Sequence, residues 1–320
     1  VLVDAKDFGL NFNFNISYNR GKIDKLNGSS FWQSSSWAGT AAAGIEDFLV
    51  EEGGRLGEVY GYKTDGFYTA DDFTFDAEKG TYALKAGVND CSSLIGGKVY
   101  PGSIKLKANE DGEYKKERLG NTVPTVSGGF GLNARWKGFD FTAFFNYSLG
   151  NKIVNATKLG SSFYSGSSKN WNINDHFTSA NRYSWIDPST GTNLLSSASI
   201  KANGEAWTIN RLNEVNTGSS IWNPAAATVM PLVDWAVEDG SFLRVNNITI
   251  GYTLPKLFVS KLNIQNIRIY VTGYNLHCFT KYSGTDPEVD CCTSTPMTPG
   301  IDYAAYPKSR SFVGGINVTF

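Results

Sequence analysis

The stretch "DFGLNFNFNISYN", Asp7 to Asn19, decides the fold. Phe8, Leu10, Phe12, Phe14, Ile16 and Tyr18 hold every even position. The odd positions are polar or glycine, four of them Asn. Apolar residues at a period of two share one side of an extended chain, so the stretch predicts a two-faced β-strand over Phe8–Tyr18. The fold then turns on which solvent each face meets.

The same alternation returns downstream. "SGGFGLNARWK" (Ser127–Lys137) puts Phe130, Leu132, Ala134 and Trp136 on one face. "FDFTAFFNYSLGN" alternates from Phe139 to Leu149, and the junction Lys137-Gly138 predicts a tight hairpin with Gly138 supplying the turn. "GSFLRVNNITIGYTLP" (Gly240–Pro255) slips phase at Asn246-Asn247, which predicts a β-bulge there. "NIRIYVTGYNL" (Asn266–Leu276) and the terminal "SRSFVGGINVTF" alternate again. Weaker strand candidates are Glu58–Tyr68 and Gly102–Lys107, for roughly seven or eight strands in all. No long amphipathic helix is expected, and Pro231 limits "ATVMPLVDWAV" to a turn or so. Two long connections, 152–238 and 278–308, lack a sustained period. Loops of that length inside a compact domain usually carry function.

Composition narrows the solvent question. The formal net charge of −1 gives no electrostatic footprint for nucleic acid. Mean hydropathy is −0.25, and no apolar run reaches the ~18 residues of a membrane helix. Membrane β-strands give a much weaker signal, so neither fact excludes a barrel. The start shows no initiator Met and no signal peptide, and reads as a mature or internal fragment.

A soluble surface strand usually carries Lys, Glu and Thr opposite its core face. Here rows of Phe and Tyr oppose Asn, Gly, Ser and Thr over ten or more residues. A membrane strand needs about 9–11 residues, apolar outward and polar toward a wet lumen, with short turns at one rim and long loops at the other. The pattern favours a transmembrane antiparallel β-barrel over a soluble β domain. A last strand that ends on aromatic Phe320 is similar to the signal read by bacterial barrel-assembly machinery.

"DGSFLRVNNITIGYTLP" (Asp239–Pro255), "NIRIYVTGYNLHCFTKYSGTDPEVD" (Asn266–Asp290) and "VGGINVTF" (Val313–Phe320) carry a closer resemblance. With "GEVYGYKTDGFY" (Gly57–Tyr68), "PGSIKLKANEDG" (Pro101–Gly112) and "GFGLNARWKGFDFTAFF" (Gly129–Phe145) in the same order, the chain resembles the C-terminal end of SusC/RagA-family TonB-dependent transporters of Bacteroidota. The resemblance implies an all-β fold in the bacterial outer membrane. Residues 1–320 would form the C-terminal arc of a 22-stranded barrel whose plug lies outside this chain. It further implies import of oligosaccharides or peptides, a SusD-like surface lipoprotein as lid, and energy through TonB. By parity, 152–238 and 278–308 are then extracellular, while Lys137-Gly138 and Pro255–Asn263 are periplasmic turns. A passive porin, or a barrel serving as surface adhesin or scaffold, is the alternative; a soluble secreted β protein or a barrel-embedded hydrolase ranks below both.

Candidate ligand contacts in the long loops are Tyr164, Trp171, Tyr183, Trp185, Trp207 and Trp222, whose rings could stack on sugars or anchor a lid. The plainer reading is that they pack the loop against itself. Asp286 and Glu288 in "GTDPEVDCC" suit calcium or a substrate hydroxyl, or simply shape a turn at Pro287. "KANEDGEYKKER" (Lys107–Arg118) departs from a calcium loop at both ends and reads as a polar turn. Cys278 with Cys291 or Cys292 suits a disulfide, favoured over a Cys/His metal site with His277. Arg135, Arg244 and Arg268, on polar strand faces, would meet an anionic solute, a plug carboxylate or, most often, a structural ion pair. No catalytic motif is present, and no resident cofactor is expected beyond loop calcium.

Overall fold

The computed structural model describes residues 1–33, 46–164, 172–259, 264–291 and 296–320. Its dominant element is a seven-stranded antiparallel sheet of β1 (Val3–Asp4), β2 (Phe8–Tyr18), β3 (Val126–Trp136), β4 (Phe139–Leu149), β5 (Phe242–Thr253), β6 (Asn266–Thr280) and β7 (Ser311–Thr319), in that order. The opening stretch forms β2 over the residues its alternation predicts.

Register joins the apolar positions into rows. Phe14, Phe130, Phe145 and Val245 stand side by side across four strands. Phe8, Trp136, Phe139, Tyr252, Ile269 and Ile316 make a second row across six. On the opposite face Asn11, Asn133, Thr142, Thr249 and Thr272 form a polar row, tied by bonds from Thr142 Oγ1 to Asn133 Oδ1 (3.1 Å) and between the Thr249 and Thr272 hydroxyls (2.8 Å).

Local chemistry sets the turns and kinks. Lys137 (φ 46°) and Gly138 (φ 92°) both have positive φ, the signature of a two-residue primed hairpin turn whose twist suits the flanking strands. The phase slip predicted at Asn246-Asn247 is a bulge: Phe144 pairs with Asn247 but Phe145 with Val245, leaving Asn246 over. A second bulge sits beside it in β6, where Asn275 has φ 51°.

The connections 19–125, 150–241 and 281–310 all leave the sheet at one end, and their described residues together build a lobe. Its small sheets are mixed between connections: Lys152–Asn155 pairs with Val237–Asp239 and, in parallel, with Ile301–Asp302. Tyr62 bridges Val233, and Asp234 Oδ1 accepts from Thr64 N (3.0 Å) and Oγ1 (2.9 Å). Glu58–Tyr68 and Gly102–Lys107 do contain strands (Glu58–Gly61, Thr64–Phe67, Ile104–Leu106), but these belong to the lobe. Contrary to expectation, a helix spans Ser197–Val215, capped by Ser196 Oγ and interrupted at Gly204 (φ 77°, ψ 176°). No helix among the described residues is long and apolar enough to cross a membrane, which says nothing of strands.

The contiguous hydrophobic core lies in the lobe. Phe48, Val59, Phe73, Leu159, Ile200, Leu212 and Met230 belong to one apolar cluster that contains no residue of the seven-stranded sheet. Most of the sheet's large apolar side chains point outward, with Phe14 56% exposed, Ile250 57% and Phe312 69%, whereas Phe242 and Val245, where β5 meets the lobe, are buried.

Candidate functional site

The polar face of the sheet meets the lobe at Arg244. This β5 residue is buried, and its guanidinium donates to both Asp286 and Glu288. Lys308 Nζ lies 2.9 Å from Glu288, the Lys308 backbone N–H donates to Asp286 (3.2 Å), and Asn146 Nδ2 donates to Glu288 (3.3 Å). Two cations thus balance two carboxylates, and the 281–310 connection is pinned to the sheet. The other two polar-face arginines are matched as well. Arg268 grips Asp140 with two bonds (2.9 and 2.6 Å), and Arg135 pairs with Asp4. The ion-pair reading holds for all three, so the polar face carries little uncompensated charge from them. Asp286 and Glu288 are therefore engaged in the pin rather than presented as open ligands.

Above the pin, a cavity of about 220 Å³ opens between the second and third connections. Asn155, Lys158, Asn174, His176, Ser283 and Asp302 contribute to its lining. Lys158 Nζ is held by Glu238 (3.1 Å), the Trp235 carbonyl (2.9 Å) and the face of the Trp235 ring (4.0 Å). Burial alone would raise the Glu238 carboxyl. The Ser283 backbone and hydroxyl donors, both at 2.7 Å, and the Lys158 ammonium outweigh it and hold the group below its usual range. Asp302 goes the other way. Burial pushes its carboxyl up despite a 2.6 Å bond from Tyr282 Oη, and burial with that same bond raises the Tyr282 phenol. The lining offers paired charges, amides and hydroxyls: groups that hydrogen-bond a neutral polar solute.

The sequence candidates divide by burial. Tyr183 and Trp222 are core residues, 1% and 4% exposed, so packing takes them out of reach of a ligand. Trp222 sits edge-on to Trp235 and Phe177 and donates to the Ser162 carbonyl (3.2 Å). Trp185 packs against the same core and donates to Pro101 O (2.6 Å). Tyr164 and Trp207 remain open to solvent. Trp171 lies outside the described residues.

Strand parity separates His277 from Cys278. His277 pairs with Val245 on the apolar face, whereas Cys278 pairs with Arg244 on the polar one, so the two cannot share a metal. The Cys278 thiol is free, and Cys292 lies outside the described residues. In the 107–118 turn, Asn109 Oδ1 accepts from the backbone of Asp111 (3.1 Å) and Glu113 (2.8 Å), a closed polar turn. Sequence reasoning missed Lys158, Glu238, Tyr282 and Asp302. Lys158, Glu238 and Asp302 lie outside the quoted motifs, Tyr282 lies unmarked inside the Asn266–Asp290 stretch, and only the tertiary fold gathers the four.

No family model matches the chain. It is 29% identical over 99% of its length to TonB-dependent receptor P3 of Formosa agariphila, covering 27% of that protein. It is 34% identical to TonB-dependent receptor SusC of Bacteroides thetaiotaomicron over 27% of this chain and 8% of that one. The whole chain superposes on the RagAB peptide importer in its open-open state with a TM-score of 0.55 at 21% identity, covering 27% of that chain, a likeness of fold. The chain thus spans about a quarter of the length of curated relatives that it matches over nearly its whole length. Over nearly its whole length it resembles a segment of SusC/RagA-like TonB-dependent transporters, the family read from its sequence.

Proposed function

We propose that this chain forms part of the wall and extracellular lobe of a TonB-dependent importer in the bacterial outer membrane. The observation that carries the reading is the reversed polarity of the sheet, with apolar rows exposed and polar rows paired. The row from Phe8 to Tyr18 runs about 33 Å along the strand, and at a tilt near 40° it spans roughly the 25 Å apolar band of outer-membrane barrels. The sheet's outer strands would continue into neighbouring strands, because an unpaired edge is costly in lipid.

Substrates would be oligosaccharides or peptides, passing a wall whose arginines are all matched by carboxylates. The exposed Tyr164 and Trp207 and the polar cavity at Lys158 and Asp302 are the surfaces we assign to solute contact. A SusD-like surface lipoprotein would close over the lobe, and TonB would supply energy from the periplasm. The reading assigns no catalytic step and no resident cofactor. Uptake of a labelled oligosaccharide or peptide by cells carrying the intact receptor tests it. Import should stop when TonB is removed; TonB-independent passage would instead mark a passive pore.

A further inference from the structure

The apolar face is not smooth. Where β4, β5 and β6 reach the lobe, it is indented by a cavity of about 550 Å³. Leu243 lies at its centre, paired with Tyr147 on one side and Phe279 on the other. Phe130 and Leu149 wall it along the strand direction. Leu149 and Phe279 are 45% and 56% exposed, so no side chain among the described residues fills the space over them. The mouth is polar. Ser241 and Lys281 close it toward the lobe, with Asp239, whose Oδ1 is occupied by the Ser241 N–H at 3.0 Å. Lys152 pairs with Asp239 across the small lobe sheet, and both lysines act electrostatically on that carboxylate. Two cations against one anion leave the mouth positive.

We infer that this cavity is a groove for one acyl chain of an outer-leaflet lipid with an anionic headgroup. The inference rests on the reading of the sheet as a membrane wall and goes beyond it, to a discrete lipid site. Two observations fix the occupant. The groove continues the apolar rows that face the hydrocarbon, so a chain entering it exchanges one apolar neighbour for another while leaving no void. Its mouth sits where the rows end, so a headgroup would lie beside Lys281, with Lys152 on the adjoining lobe strand adding longer-range attraction to an anionic group.

The test uses the intact receptor in phosphatidylcholine vesicles doped with phosphatidylglycerol or diacylglycerol, each carrying a diazirine at the end of one acyl chain. Phosphatidylglycerol should label the strand segments around Tyr147, Leu243 and Phe279 about tenfold more than those around Ile250 and Val271, the difference expected from about two additional buried methylenes. Lys281→Gln should lower that labelling about fivefold and leave diacylglycerol unaffected. Leu243→Trp should fill the groove and abolish the preference, with Leu149→Trp serving if the first variant fails to assemble. Even labelling along the rows, or labelling unchanged by these fillings, overturns the groove and leaves the membrane wall standing. Labelling of neither region overturns the wall, and the groove with it.

Discussion

Leu212 and Ile250 are side chains of nearly equal volume and polarity, yet the first is wholly buried and the second is 57% exposed. Leu212 belongs to the lobe, where apolar groups turn inward around a core that includes Tyr183, Trp222 and Met230. Ile250 belongs to the sheet, where most of them turn outward. The difference teaches that the two regions are built for different solvents. In the lobe, burial removes apolar surface from water. In the sheet, the gain requires an apolar medium outside, while Asn, Thr and paired charges make a hydrophilic interior.

The comparison can be broken first at the joint between the regions. Arg244→Met leaves Asp286 buried without its cation, and a broken buried pair costs about 3–5 kcal/mol. Proteolysis of the 281–310 connection should accelerate sharply, with the sheet itself resistant; unchanged protection would mean that the pin does not hold the lobe. The next effect is asymmetric. Leu212→Ala should destabilise the lobe by about 2–5 kcal/mol through cavity formation. Ile250→Ala should cost under about 1 kcal/mol, because lipid closes over the smaller side chain. Ile250→Arg should restore a penalty of about 2–4 kcal/mol, as for a charge near the bilayer midplane. Urea unfolding in bilayers reads all three, and equal losses for the two alanine variants would erase the distinction.

A subtler contrast lies in pH. Arg211 holds Asp187 with bonds of 2.7 and 2.8 Å, and Ser189 adds its hydroxyl (2.6 Å) and N–H (2.9 Å). These contacts, led by the Arg211 bond, keep the carboxyl well below the usual range. A depressed carboxyl contributes stability that is present above its unfolded pKa of about 3.9 and lost as pH falls through the folded value. Asp187→Asn should therefore weaken the lobe at neutral pH, and its deficit against the parent should shrink below about pH 4. Thermal melts from pH 7 to pH 3 would show it; a deficit independent of pH would mean the contact acts by shape alone.

How much could be read in advance follows from the same contrast. A wall strand repeats its pattern over eleven residues, so Phe8–Tyr18 and the Lys137-Gly138 turn announce themselves, and a single slip at Asn246 is visible against so regular a background. Lobe strands are two to five residues long, too short to show a period. The Ser197–Val215 helix escaped notice because Gly204 breaks it and its buried face includes Ser199 and Thr208 beside Ile200 and Leu212. The site was legible only in part. Pairing of the wall arginines was foreseen as a type, but their partners sit on other strands (Asp4, Asp140) or in the 281–310 connection (Asp286, Glu288), up to 131 residues away. Aromatic residues flagged for ligand contact proved to be of two kinds, and nothing in their sequence context separates buried Tyr183 from exposed Tyr164.

The central claim is that the two faces of the sheet meet two solvents, and adjacent residues of β5 test it most directly. A nitroxide placed in turn at Thr249 and Ile250 of the intact receptor in bilayers reports its surroundings through collisions with oxygen, which concentrates in hydrocarbon, and with a water-soluble nickel chelate. We expect oxygen to dominate at Ile250 and oxygen exposure to fall at Thr249, with the alternation repeating at Thr272 and Val271 of β6. High nickel accessibility at Ile250 and Val271 would place the apolar rows in water and contradict the account.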